Sequence, residues 1–186
     1  MSSAAQCIEP AAAAVDAVVL PLAMAPAEGV QAGTVGVRRA RLEDVAQISE
    51  LLDAYARRGL VLPRTVGAIC RHIREFLVAV EADRVVGCGA LRLYSPVLAE
   101  VAALAVAEPC QGRHVGRRIV EALVEEARAF GIRRVFALTL QEPFFHRLGF
   151  RTVPMTEVPE KIAADREEGI DRAKCMKATV VRDLVD

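Results

Sequence analysis

The stretch "LAEVAALAVAEPCQGRHVGRRIVEALVEEARAFG", Leu98 to Gly131, changes character twice. Up to Val106 it is an apolar run with one charge, Glu100, which predicts a buried strand. Further on it becomes an amphipathic helix with Gly131 as its C-cap. Between them lies "CQGRHVGRR", a short loop with two glycines and three arginines. A helix start presents unpaired N–H groups and the positive end of the macrodipole, so a tight loop there suits phosphate oxygens. Gly112 and Gly116 permit close backbone approach, and Arg113, Arg117 and Arg118 supply charge. The loop is neither GxxxxGK[ST] nor GxGxxG. Taken alone, it reads equally as a capped helix with a solvated basic edge.

Working upstream, "VGVRRA" alternates like a strand. "RLEDVAQISELLDAYARRG" carries a helical stripe of Leu42, Val45, Ile48, Leu51, Leu52 and Tyr55, ending at Gly59. "LVLPRT" is a connector, and Thr65 is the N-cap of a short helix in "VGAICRHIRE". "FLVAVEA" and "VVGCGALRLY" form a hairpin turning at Asp83 and Arg84. Downstream come a strand in "RVFALTL", a short helix in "PFFHRLG" and a last strand in "MKATVVRDL". The order β-α-α-β-β-β-α-β-α-β predicts a single α/β domain with a mixed sheet, residues 35–186. The Ala/Pro-rich residues 1–34 read as a tail outside it.

Composition narrows the function. The chain has 186 residues, 53% of them hydrophobic, enough for one core without staples. Its 24 basic residues offset its 24 acidic ones, so it lacks the global electrostatic footprint of nucleic-acid binding, and any anion site is local. Five cysteines without a CxxC pair, and three well-separated histidines, suggest a reduced cytoplasmic chain with no metal. No basic residue precedes Arg38, which argues against a targeting segment, and the apolar run before it is broken by Asp16, Pro21 and Pro26 and does not suit a membrane span.

In its context of buried strand, loop, helix and "PFFHRLGF", the chain resembles the GCN5-related N-acetyltransferase superfamily, whose fold is a mixed central sheet flanked by helices. That superfamily's pyrophosphate loop follows Q/RxxGxG/A. Gln111 and Gly116 match its ends, and His114 stands where the first glycine is usual. More narrowly, "GLVLPRT", "VVGCGALRLY", "LAEVAALAV", "VFALTLQEPFFHRLGF" and "VPEKI" look like the acetyltransferase domain of N-acetylglutamate synthases, here without their amino-acid-kinase domain. The resemblance implies acetyl-CoA as cosubstrate and an amino acid as acceptor: glutamate, glutamine or a close analogue, in the opening step of arginine biosynthesis. Another amine acceptor, such as a protein N-terminus, and a non-catalytic CoA-binding module are the alternatives. Superfamily members are often dimers, so a homodimer is an expectation of the same kind.

The resemblance also implies site residues. Leu104, Ala105 and Val106, in the strand that splays from its neighbour, offer backbone groups to the pantetheine arm. Gln111, Gly112, Arg113, His114, Val115, Gly116 and Arg117 form the pyrophosphate loop, and Phe145 borders the arm. Glu100, flanked by apolar residues that raise a carboxylate's proton affinity, is the candidate base, or else a strand-end glutamate paired with an arginine. Gln141 falls where some relatives carry a serine proposed to protonate the departing thiolate. An amide is no acid at neutral pH, which leaves Gln141 hydrogen bonding or positioning. Arg64 aligns with an arginine that binds substrate carboxylate, and Arg92, Lys174 and Lys177 are further cationic candidates. The usual arginine and serine of the C-terminal block are replaced by Lys174 and Met176.

Overall fold

The computed structural model describes residues 34–58, 64–169 and 177–184. Its elements are β1 (Gly36–Arg39), α1 (Val45–Ala56), α2 (Val66–Arg71), β2 (Phe76–Glu81), β3 (Arg84–Ser95), β4 (Leu98–Val106), α3 (Val115–Ala129), β5 (Arg134–Thr139), α4 (Glu142–His146), β6 (Arg151–Val153), α5 (Pro159–Glu167) and β7 (Ala178–Asp183). They build one seven-stranded sheet in the order β1-β2-β3-β4-β5-β7-β6. All neighbours are antiparallel except β4 and β5, which run parallel across the α3 crossover.

The two sheet faces are covered differently. On one, α3 buries Val115, Ile119, Val120, Leu123 and Val124 against Leu91, Val101, Leu104 and Val106. Gly87 and Gly89 let it come close: a Cβ on Gly89 would stand 2.8 Å from Ile119 Cγ2, and one on Gly87 2.9 Å from Ile119 Cδ1. On the other face, α1 and α2 cover Phe76, Val78, Cys88, Ala90, Ala103 and Ala105 with Ile48, Leu52, Tyr55 and Ile69. A separate cluster of Leu98, Phe136, Leu138, Val153, Val158 and Val181 fills the β5-β7-β6 half. β4 is buried along its whole length, as its near-continuous apolar run predicts.

Thr65 caps α2, its Oγ1 accepting from the Ala68 N–H at 3.2 Å. α2 itself ends at Arg71, and a 3₁₀ turn, Ile73–Glu75, follows. Gly131, at φ +76, lies one residue past the α3 C-cap, Phe130, where left-handed geometry ends a helix. Two sequence readings need correction, and two elements, β6 and α5, escaped the reading. The hairpin turns on Ala82 and Asp83, with φ 46 and 63, and Arg84 already belongs to β3. Leu42 lies in a 3₁₀ turn before α1 and is 69% exposed, outside the stripe. β6 is only three residues long, too short for an alternation to register. The helix α5 escapes because its buried positions are Lys161 and Asp165, not apolar residues. The predicted tail, the "GLVLP" part of the connector and Lys174 with Met176 lie outside the described residues.

Candidate active site

β4 and β5 pair only through Leu98, Ala99 and Glu100, facing Arg134, Val135 and Phe136. Beyond Glu100 the strands part, leaving a V-shaped opening with an unpaired β4 edge. β4 also carries a bulge: the register with β3 shifts between Cys88 and Ala90, and Ala103 adopts φ 50. The Ala107 N–H donates to Val86 O on the β3 side, so the Val106 backbone faces the unpaired edge, as does that of Leu104 two residues earlier. There the buried Tyr55 hydroxyl donates to Val106 O at 2.6 Å and accepts from Gln111 Nε2 at 2.9 Å. Gln111 thus ties the loop to the strand that precedes it, and its Oε1 is buried without a hydrogen-bond partner among the described residues.

The loop then turns into α3 through His114, the N-cap, at φ 60 and ψ 13. Left-handed geometry there explains why a glycine is the usual occupant, and histidine tolerates it better than a β-branched residue does. The Arg113 side chain turns away from the opening: its guanidinium grips Glu81 at 2.6 and 3.0 Å and so fastens the loop to the β2–β3 hairpin. Arg117 pairs along the helix with Glu121 at 2.7 Å. A cavity of about 360 Å³ opens here, lined by Val106, Cys110, Gln111, Gly112, His114, Val115, Gly116, Arg117, Gln141, Phe144, Arg147 and Leu148. Cys110 is a buried thiol whose pKa desolvation pushes up, so it is no ready nucleophile. Gln141 opens α4, with its backbone N–H held by Thr139 Oγ1 at 2.8 Å. Phe145, expected to border the opening, is instead fully buried against Phe150, and its neighbour Phe144 lines the cavity. Adjacent residues of a helix face different directions, so only one of the two can do so. Arg147 is a lining residue that sequence reasoning missed, since a lone arginine in "FHRLG" carries no motif.

At the apex of the V sits Glu100, with no exposed surface. Arg92 on β3 is its direct cross-strand neighbour. The Tyr94 hydroxyl donates to Glu100 Oε2 at 2.7 Å and accepts from Lys161 Nζ at 2.9 Å. Lys161 Nζ also stands 3.6 Å from Glu100 Oε2 and 3.1 Å from Asp165 Oδ1. Burial, and next the Glu100 carboxylate, push the Tyr94 phenol well above its ordinary range, so it remains a proton donor in this chain of bonds. Arg64, just before α2, lies over the Phe76 ring at 5.6 Å, and its Nη2 is buried without a hydrogen-bond partner among the described residues. Burial, helped by the nearby Arg92 charge, holds its pKa down to about 10, still cationic at neutral pH.

The structure therefore gathers Glu100, Arg92 and Arg64 at one end of the opening, and the loop residues with Gln141 at the other. Lys177 lies next to β7, whose first residue pairs with Thr139 at the end of β5. Lys161, Tyr94 and Asp165 were not singled out from the sequence. Beside them runs a groove of about 540 Å³, walled by Glu75, Arg92, Leu93, Tyr94, the α5 residues Glu160 and Glu167, and Glu168 just past that helix. Among the described residues no cluster of three or more His, Cys, Asp or Glu could hold a metal ion, and no helix is long and apolar enough to cross a membrane.

Comparisons with known proteins bear on the family and the fold. Residues 46–150 match the acetyltransferase (GNAT) family model. An uncharacterised N-acetyltransferase of Chlorobaculum tepidum is 37% identical over 148 residues, covering 80% of this chain and 96% of that one. An amino-acid acetyltransferase of Mycobacterium tuberculosis is 37% identical over 129 residues, 68% of this chain and 74% of that one. Among solved structures, a M. tuberculosis protein in complex with CoA and a second ligand superposes with a TM-score of 0.71 at 31% identity, covering 81% of this chain and 99% of that one. N-acetylglutamate synthase from Neisseria gonorrhoeae, complexed with coenzyme A and N-acetyl-glutamate, gives 0.75 at 28% identity, covering 84% of this chain and 36% of that one.

Proposed function

The chain belongs to the acetyltransferase (GNAT) family, and from that premise we propose that it is an amino-acid N-acetyltransferase, moving acetyl from acetyl-CoA to the α-amine of glutamate or glutamine at the entry to arginine biosynthesis. One observation carries the reading: a buried carboxylate, Glu100, stands where β4 and β5 part, with Arg92 across from it and Arg64 nearby.

The opening fits the cosubstrate. The unpaired β4 edge offers the backbone of Leu104, next to Ala105, to the amides of a pantetheine arm, while that of Val106, expected to share the task, is held by Tyr55 and Gln111. The loop from Gln111 to Arg117 offers N–H groups at the start of α3 to a pyrophosphate. Arg113, held by Glu81, serves that loop through its backbone and as a fastener. A Cβ on Gly116 would point at Phe144 and Val106, both 3.5 Å away in the cavity wall, so a larger side chain there would fill the cradle. Gln141 and Phe144 border the same cavity.

Acetyl-CoA supplies an activated thioester; the remaining work falls to the protein. Glu100 takes the proton that the acceptor's ammonium group must lose before its nitrogen can attack. Backbone groups on the splayed edge orient the carbonyl. Arg64, with a guanidinium edge to spare, captures a carboxylate of the acceptor, and Arg92 adds charge from β3. Attack is direct, without an acyl-enzyme: as the N–C bond forms the thioester C–S bond breaks, and CoA leaves as a thiolate that takes up the second proton shed by the amine.

A second acceptor reading rests on the groove beside the apex, whose wall carries Glu75, Glu160, Glu167 and Glu168. Although Arg92 shares that wall and pairs with Glu75 at 3.5 Å, the glutamates outnumber it, which favours glutamine or another amino acid with an uncharged side chain over glutamate. Thiol release from acetyl-CoA, measured across the amino acids, tests both readings. Turnover with glutamate or glutamine is expected. Tight CoA binding with no turnover on any amino acid would leave a non-catalytic binding module or a different class of acceptor.

A further inference from the structure

From the buried cluster behind the apex we infer that Lys161 and Tyr94 are positioning residues that keep Glu100 ionised and aimed at the acceptor amine. The inference deepens the proposed function and rests on its reading of Glu100 as the base. Lys161 comes from α5, a helix with little apolar periodicity, yet it is 2% exposed. An amine buried to that degree is costly unless paired. Here it is paired on three sides, with Glu100, Asp165 and the Tyr94 hydroxyl. α5 is pinned in place by Ser95 Oγ, which donates to Glu160 Oε1 at 3.2 Å.

Among the described residues the groups facing Glu100 come from several elements: Arg92 and Tyr94 on β3, Arg64 before α2, and Lys161 with Asp165 on α5, while Phe136 on β5 is apolar. In this set the Tyr94 hydroxyl and the Lys161 ammonium reach the same oxygen, Oε2, at 2.7 and 3.6 Å. Both favour the carboxylate over the acid. Holding Oε2 also fixes the orientation of the carboxylate. Arg64 and Arg92 serve the acceptor's carboxylate in the reading above, whereas Lys161, on a different element, goes on holding Glu100 in its charged form once an acceptor neutralises them. Asp165 in turn balances Lys161 when no acceptor is present.

The test is the pH profile of kcat/KM for the acceptor, in wild type and in Lys161→Met, Lys161→Arg and Tyr94→Phe, with acetyl-CoA affinity and Tm measured on each. Without Lys161 the carboxyl holds its proton to higher pH, so the acid limb of Lys161→Met moves up by about one pH unit or more. Tyr94→Phe moves it the same way by less, and Lys161→Arg returns it toward wild type. Activity recovers on the alkaline side, and acetyl-CoA binding is unchanged. A limb that stays put in folded Lys161→Met, with activity lowered equally at every pH, overturns the inference and leaves Lys161 a structural residue. If Lys161→Met does not fold, an unshifted limb in folded Tyr94→Phe overturns it instead. Glu100→Gln, run alongside, separates the two levels: a normal rate there defeats the base reading itself, whereas a slow Glu100→Gln with an unshifted Lys161→Met defeats only the role given to Lys161.

Discussion

At the scale of single residues, Arg64 and Gly116 make opposite demands on the site. Arg64 lies over Phe76 with its buried Nη2 unpaired among the described residues, as suits a group that meets a ligand. Arg64→Ala should raise the acceptor KM by about tenfold or more with a smaller effect on kcat, since it removes a contact made to the ground-state carboxylate. Steady-state kinetics at saturating acetyl-CoA decide this, and equal losses in kcat and kcat/KM would place Arg64 in the transition state instead. Gly116 matters for what it lacks. Because its Cβ direction meets Phe144 and Val106 at ordinary contact distance, Gly116→Ala should fold normally, whereas Gly116→Val should fill the cradle and weaken acetyl-CoA binding strongly. Calorimetry on the folded variant is the check, and unchanged affinity would remove the loop from the site.

At the scale of elements, β3 and α3 are held together by the absence of side chains. Gly89→Ala would put a Cβ 2.8 Å from Ile119 Cγ2 and 3.1 Å from Leu123 Cδ1, and should cost about 1–3 kcal/mol through overpacking. Denaturant titration measures it, and a loss near zero would mean that α3 can lift without penalty. The start of α1 carries a pH dependence. Arg38 grips Asp44 at 2.7 and 2.9 Å, and hydrogen bonding to that guanidinium holds the Asp44 pKa below its ordinary value. A carboxyl depressed in the folded state stabilises fully above its unfolded pKa, near 4, and loses that contribution as pH falls through the folded value. Asp44→Asn should therefore lower Tm at neutral pH and narrow the gap from wild type below about pH 4. These elements also show what was legible. β4 and α3 could be read because burial imposes a run on one and a stripe on the other. α5 could not, because its inward positions hold Lys161 and Asp165, and a buried ionic pair has no signature in hydrophobic periodicity. For the same reason Glu100 was visible as a lone charge in an apolar strand, while its partner was not. Phe144 and Phe145 could not be ranked from sequence, since the choice depends on how α4 is rotated against the sheet.

At the scale of the whole molecule, one departure from regular pairing makes the site. A sheet of seven strands is continuous except where β4 and β5 pair over three residues and then part. Loop and cavity gather at the open end of that V, and the buried carboxylate, tyrosine and arginine at its apex. Glu100 is the residue on which the account depends, and Glu100→Gln keeps its size while removing its basicity. The most direct measurement is the steady-state rate of thiol release by that variant with acetyl-CoA and the preferred amino acid from pH 6 to 9.5, beside acetyl-CoA affinity by calorimetry. The expected result is kcat lowered by roughly 10² to 10⁴ at neutral pH, recovering as the acceptor amine loses its proton unaided, with affinity for acetyl-CoA unchanged. A folded Glu100→Gln enzyme with wild-type kcat at neutral pH would contradict the account.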